Sequence, residues 1–443
     1  MKLPIGTARM DAKTIAREAY IFGSAFVSNY RVFISRLVEK SPLMQGADFN
    51  EFVHNRDPFP PETPDTTQRD TLFSIAIIDL RREPIVISVP DVPEGQSYLL
   101  QMGDTSTENL PYISTVTTHN KAGNYVLVGP EYQGYLPTDK LDGVITTRGQ
   151  LVAMLGRTVI TDPDDLTIPH KIQDGMKMRP LSTFLGTAPP PVPPAIEFVT
   201  WDAQKAAGVG VFEYINMALA WHPPAISELD AMARFSRIGV APGQPFSTDG
   251  WPDEIVAAVN EAVVEVNNEL DEAASTIGAT SGNWQWDTTD ISRFGTDYFR
   301  RSAIALKNIY PNAPDHAVYG QAYRDADGEQ LSGERGVMIR FEKGKLPPAT
   351  MFWSLTLYDA KTTAMYPNEW KRYSIGSTTK GLRFAADGSL TLYIQNAEPS
   401  DAVARANWLP APRGELYLVL RLYGAKPEVI AGQWTPPPIK KTN

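Results

Sequence analysis

The sequence predicts a multidomain α+β protein, with two antiparallel β-sandwich domains and helical segments packed between and beside them. Three observations predict it. Between Pro347 and Pro438, side chains alternate with the period of two that a half-buried strand requires. A looser series of short apolar runs, punctuated by turn residues, fills about 68–160. Between a proline run and His316, the apolar residues recur instead at three- and four-residue spacing.

Length and composition agree with this reading. The 443 residues exceed what one core ordinarily serves, and 42% hydrophobic with 21% charged residues is a globular composition without disordered bulk. The net charge of −10, from 51 acidic and 41 basic residues with no basic cluster, argues against a nucleic-acid partner. The absence of cysteine excludes disulfides, thiolate metal sites, iron–sulfur clusters and a cysteine nucleophile. Ile21 to Val27 is apolar, but Arg17, Glu18 and Arg31 flank it, so no secretory leader is read there. A cytoplasmic location is favoured on that ground, and a periplasmic one stands if a leader was removed. No uncharged apolar run approaches the ~20 residues of a membrane span.

In chain order, the first element is a helix from about Asp11 to Val38, with Ile15, Ala19, Phe22, Phe26, Phe33 and Leu37 on one stripe and Asp11 as N-cap. After a Pro- and Asp-rich loop over 57–67, Thr71 to Leu80 is apolar on both faces, as an interior strand is. Ile85–Val89, Ser97–Met102 and Tyr125–Gly129 continue the sheet, separated by Pro93-Glu94-Gly95 and Ala122-Gly123-Asn124. A short helix over Asp162–Met176 precedes the proline run 188–194, which reads as a stiff linker and the principal domain boundary. Four helices follow: one carrying Phe212, Ile215 and Leu219; one closing at Gly239; one entered at Pro252 with Val256, Val259, Val263, Val266 and Leu270 on its buried side; and one over Thr296–Lys307. Strands return at Tyr319–Arg324 and Val337–Phe341. In the closing block Leu416, Leu418, Leu420 and Leu422 share one face, opposite Tyr417, Val419, Arg421 and Tyr423. The expected organisation is a helical segment over 1–66, a β-sandwich over 67–187, a linker over 188–200, helices over 201–312 and a second sandwich over 313–443.

Several motifs carry a family resemblance. They are Phe352-Trp-Ser-Leu-Thr-Leu-Tyr-Asp359, Arg372-Tyr-Ser-Ile-Gly376, Ala386-Asp-Gly-Ser-Leu-Thr-Leu-Tyr-Ile-Gln395, Asn407-Trp-Leu-Pro-Ala-Pro412 and Lys426-Pro-Glu428, with Asp70-Thr-Leu-Phe-Ser74, Glu83-Pro84 and Val128-Gly-Pro130 in register upstream. On these residues the chain resembles the bacterial proteins that pair an N-terminal domain of unknown function 1254 with a C-terminal domain of unknown function 1214. The resemblance implies jelly-roll-like sandwiches with helical parts, and it implies no activity. Where the family usually has an asparagine pair, this chain has Gln68-Arg69.

Asp70 and Asp104 are the candidate catalytic carboxylates, since two carboxylates in unequal surroundings can divide acid and base roles. Their ordinary alternative is turn capping. Tyr358, Arg372, Tyr373, Asn407 and Trp408, with Asn109, form the candidate substrate-binding set. In it Arg372 is the anion clamp, with Tyr358 or Trp408 as the flat platform. The same residues can instead pin loops onto a sandwich. The five histidines show no metal-ligand spacing, so no metal site is assigned, although His119 with Asp70 or Asp104 is one arrangement the fold could assemble. Asp325-Ala-Asp-Gly-Glu329 resembles a calcium loop but reads better as a hairpin turn. No phosphate loop, dinucleotide fingerprint or nucleophile elbow is present, and no cofactor is identified. The expected function is acid–base chemistry, of hydrolase or lyase type, on a small polar or carbohydrate-like molecule in an interdomain cleft. The alternative is a non-catalytic carbohydrate or small-ligand binding protein. The expected partner is therefore a small molecule, with a second copy of the chain left open.

Overall fold

The structure, a computed structural model, describes residues 9–40, 48–276, 278 and 280–442. Residues 1–8 and 41–47 of the expected N-terminal segment lie outside the described residues. Helix α1 (Arg9–Phe33) runs on into a π-helical turn over Ile34–Val38. Of its expected apolar stripe, Ile15, Ala19, Phe22, Phe26 and Phe33 are buried, and Leu37, in the π-helical turn, is half-buried. Asp11 lies inside the first turn rather than capping it, where a carboxylate favours the helix N-terminus and faces Arg237 at 3.8 Å.

Nine strands make the N-terminal unit: β1 (Val53–His54), β2 (Thr71–Asp79), β3 (Ile85–Val89), β4 (Tyr98–Asp104), β5 (Ile113–Ser114), β6 (Gly123–Val128), β7 (Gly143–Thr146), β8 (Leu151–Val159) and β9 (Lys177–Pro180). They form a sheet ordered β1-β2-β8-β4-β5 and another ordered β7-β6-β3-β9. Ala76, Ile78, Leu100, Met102 and Val152 from the first close a core against Ile85, Ile87 and Leu127 from the second. Helix α2 (Thr167–Gly175) covers one end of that core through Ile172 and begins five residues later than Asp162.

The proline run is extended and exposed, as a linker should be, yet it is also pinned. Arg81 Nη1 donates to the Pro194 carbonyl at 2.9 Å and Arg82 to that of Pro190. It delivers the chain to helices α3 (Val211–Leu219), α4 (Leu229–Phe235), α5 (Asp253–Thr276) and α6 (Tyr298–Lys307). These pack on α1, so the first and third stretches of the chain share one core, which also takes Ile77, Leu151 and Ala153 from the outer face of β2 and β8.

The C-terminal unit contains β10 (Thr280–Ser281), β11 (Trp284–Trp286), β12 (Ala317–Ala322), β13 (Val337–Phe341), β14 (Ala349–Asp359), β15 (Ser374–Gly376), β16 (Leu390–Gln395), β17 (Trp408–Pro410), β18 (Leu416–Ala425) and β19 (Ile439–Lys441). One sheet runs β10-β11-β12-β18-β14-β15 and the other β17-β16-β13-β19. Leu416, Leu418, Leu420 and Leu422 are 0–2% exposed and enter the core between the two sheets, with Trp353, Leu355, Leu357, Leu390, Leu392 and Ile394. At about 1.5–3 kcal/mol for each buried leucine, this one strand face is a principal source of the unit's stability. Trp408–Pro410, expected as a loop, is a short strand parallel to β16, because the helical turn Ala402–Ala406 brings the chain back in the same direction. β6 and β7 are likewise parallel, so the smaller sheets are mixed rather than purely antiparallel.

Candidate functional site

Every residue of β18 is buried, including the face opposite the leucines. That second face, with Tyr417, Val419, Arg421 and Tyr423, is turned toward the N-terminal unit. Across a gap stands the outer face of β2 and β8, and a cavity of about 920 Å³ lies between them. The register sets its walls: Phe73 and Ile75 of β2 pair with Arg157 and Leu155 of β8, while Ala317, Tyr319 and Gln321 of β12 pair with Tyr423, Arg421 and Val419 of β18. Ala303, Ile304 and Lys307 of α6, the segment Asn308–Asn312, the loop Asp65–Gln68 and residues of the stretch Gln285–Ile291, Asp287 among them, also contribute to the lining.

Two buried guanidiniums stand on this lining. Arg157, 9% exposed, donates through Nη1 to Gln101 Oε1 at 2.9 Å and lies 5.4 Å over the Phe73 ring. Arg421, 5% exposed, donates to Thr356 Oγ1 at 3.0 Å, to the Tyr358 hydroxyl at 2.8 Å and to the Thr66 carbonyl at 3.2 Å. Burial alone would lower the Arg421 pKa, but Tyr358, Tyr423 and Asp70 together hold it above the ordinary value. The Tyr423 phenol is pushed far up by burial and by Tyr319, against the opposing pull of Arg157 and Arg421, and so stays a neutral O–H donor. Among the described lining residues there is no histidine or glutamate; the acids are Asp65 and Asp287.

Asp70 and Asp104 stand at opposite ends of one sheet. Thr71 pairs with Val159 at one end of β8, whereas Asp104 pairs with Val152 near the other, a separation of roughly 25 Å at ~3.3 Å per residue. Asp70 joins the two units, accepting from Ser354 Oγ at 2.7 Å and from Ser374 Oγ at 2.8 Å. Asp104 caps its own turn through the Ser106 amide, the Ser106 hydroxyl and the Glu108 amide. Its other oxygen lies 3.8 Å from Nδ1 of His222, which is buried and whose pKa burial lowers to about 4.

Of the substrate-binding candidates, two adjoin the cavity from behind. Asn109 holds Gln101 by accepting its amide at 3.2 Å, and Gln101 in turn accepts from Arg157. Tyr358 receives the Arg421 donor and donates to the Thr67 carbonyl at 2.7 Å. Arg372 spends its guanidinium on the carbonyls of Arg405, Ala406 and Trp408, closing a helical turn. Tyr373 lies under Arg69, Asn407 brackets the Arg383 backbone, and the Trp408 indole donates to the Gln395 carbonyl. Gln68 takes over the turn before β2, its Oε1 accepting from the Asp70 and Thr71 amides. Asp325 accepts from the amides of Asp327 and Glu329 in a hairpin turn, and among the described residues no three His, Asp or Glu side chains gather as a metal site would.

Ser114, His316 and Asp315 show the connectivity of a catalytic triad. Ser114 Oγ is 3.1 Å from His316 Nε2, and His316 Nδ1 is 2.9 Å from Asp315 Oδ1. Ser114 is fully buried beneath Tyr112, which stacks on the imidazole, and it lines neither described cavity. This relay therefore joins the two units rather than presenting a nucleophile. The lining residues that sequence reasoning missed include Arg157, Tyr319, Arg421 and Tyr423; the available signals are a lone charge inside the apolar run Leu151–Ile160 and a charge with tyrosines on the strand face opposite the leucines.

Comparison with known proteins bears on ancestry and fold. Residues 49–180 match the family described as protein of unknown function (DUF1254), and residues 316–427 match the one described as protein of unknown function (DUF1214). A crystal structure of the VPA0106 protein from Vibrio parahaemolyticus is similar with a TM-score of 0.77 at 24% identity, over 98% of this chain and 100% of that one. An uncharacterized protein from Burkholderia cenocepacia gives a TM-score of 0.45 at 12% identity, over 98% and 94%. No curated protein matches the chain.

Proposed function

We propose, for a chain that belongs to the family pairing domain 1254 with domain 1214, that it is a small-molecule binding protein whose ligand occupies the cavity between the two units. The observation that carries this reading is the cavity itself. Its volume of about 920 Å³ falls within the range of small-molecule sites, its walls are largely apolar, and a few polar groups converge on it. On this reading the two jelly-roll-like sandwiches use their inner faces for stability and lend their outer faces to the ligand. The acid–base alternative has less support, because neither Asp70 nor Asp104 belongs to the lining and each spends its oxygens on serines or turn amides.

A thermal-shift screen of a metabolite library tests the proposal when run on the protein and on Leu155→Trp, which puts an indole into the cavity. Hits are expected to raise the Tm of the parent and to lose that effect in the variant. Hits that stabilise both proteins equally would place the ligand elsewhere and overturn the reading.

A further inference from the structure

We infer that the cavity takes a molecule with a single carboxylate on an apolar body, and that Arg157 and Arg421, one from each unit, hold that carboxylate. The inference rests on the ligand-binding reading above and adds the chemical class. A cation withdrawn from water is costly unless a counter-charge or a full set of acceptors compensates it. Among the described residues neither guanidinium forms an ion pair, although both are at least nine-tenths buried. The surroundings of Arg421, Asp70 included, favour its charged form, but Asp70 has both oxygens engaged by Ser354 and Ser374 and takes none of its donors.

The donor count points the same way. A guanidinium offers five N–H donors in a rigid fork. Among the described residues, Arg157 commits one of them to Gln101, and Arg421 commits three, to Thr356, Tyr358 and Thr66. The rest belong to side chains on the cavity lining, together with the protonated hydroxyl of Tyr423, which both guanidiniums influence. A carboxylate accepts a donor fork of this kind in a planar, bidentate way. The remainder of the lining decides the body and the charge. Phe73, Ile75, Leu155 and Ile304 offer apolar contact; Lys307, a further cation on the lining, is paired with Asp271, and Asp65 and Asp287 weigh against a second negative charge such as a phosphate monoester carries.

Calorimetric titration of the whole chain with decanoate, decanol and decyl phosphate, and with 3-phenylpropanoate and 3-phenylpropanol, tests the inference. Each carboxylate is expected to bind at least about tenfold more tightly than its alcohol, and decyl phosphate no more tightly than decanoate. Arg157→Gln is expected to weaken the carboxylates about tenfold or more and leave the alcohols unchanged, while Arg157→Lys, which keeps the charge but not the fork, falls between. Equal binding of acid and alcohol, tighter binding of the phosphate, or indifference to both Arg157 variants would overturn the carboxylate class. If none of these five probes binds while neutral library hits do, the class is wrong and the binding reading stands. If nothing binds at all, the binding reading falls with it.

Discussion

At the scale of single residues, this protein uses buried polar groups chiefly to fix its own chain. Asp70, Asp104, Arg372 and Asn407 were singled out because charged and amide groups sit inside otherwise apolar motifs, and each turns out to satisfy backbone or serine donors and acceptors. That is what low dielectric demands of any buried polar group, whether or not it has chemistry to perform. His222 departs from this: its Nδ1 is one of several buried polar atoms with no hydrogen-bond partner among the described residues, its ring lies edge-on to Phe26, and Asp104, Glu228, Arg148 and Arg301 surround it. Burial outweighs the attraction of Asp104 and lowers its pKa from 6.5 to about 4. The sign of the consequence follows. Below pH 6.5 the unfolded chain takes up a proton that the folded protein refuses until about pH 4, so stability falls as the pH falls through that window. His54, also lowered to about 4, acts in the same direction. In urea denaturation, His222→Phe is expected to gain on the parent by about 2–3 kcal/mol between pH 7.5 and 4.5. A constant difference between the two proteins over that range would show that His222 does not titrate as described.

At the scale of elements, the strands most legible in the sequence are those with one apolar face. β16 and β18 alternate cleanly, and the structure buries the leucines of β18 as the pattern requires. β8, buried like β2 with one face on the sheet core and the other on the helical layer, went unread because Gly156, Arg157 and Thr158 cut its apolar run to Leu151–Leu155. Arg157 was missed with the strand. The second face of β18 was visible as a pattern, yet nothing local revealed that it would meet another domain, since that depends on how distant units dock. The candidate site was therefore legible in its class, an interdomain cleft with arginine and aromatic groups, but not in its residues: Tyr358 and Asn109 adjoin it, and Arg372 serves elsewhere. Edge strand β15 makes a direct test of close packing. A β-carbon at Gly376 would run into the Trp353 carbonyl and the Ser354 backbone of β14. Because backbone rather than a flexible side chain is the obstacle, Gly376→Ala is expected to cost at least about 2 kcal/mol in denaturant unfolding. A loss within about 0.5 kcal/mol would mean that β15 shifts freely on its neighbour.

At the scale of the whole molecule, three layers meet along one seam, and polar contacts from both units cross it along its length. Asp70 bonds Ser354 and Ser374, Ser114 meets His316, Asn109 reaches the Pro311 carbonyl and Thr66 accepts from Arg421. Each unit has its own apolar core behind the seam, so opening the seam need not unfold either one. The cavity lies in this joint, and a ligand held there would bridge both units and add its binding free energy to closure. Asp70→Ala removes two charge-assisted hydrogen bonds at once, on the order of 3–6 kcal/mol of closure free energy. If the seam opens as a local event, that loss should appear as amide exchange at least about tenfold faster along β14, β15 and the start of β2. Exchange in β13 and β16, on the far side of the C-terminal core, should stay unchanged. Uniform acceleration through the chain would instead mean that the three layers open only by global unfolding. The distinction matters for the binding reading, because a ligand that bridges both units slows local opening only where the seam opens on its own.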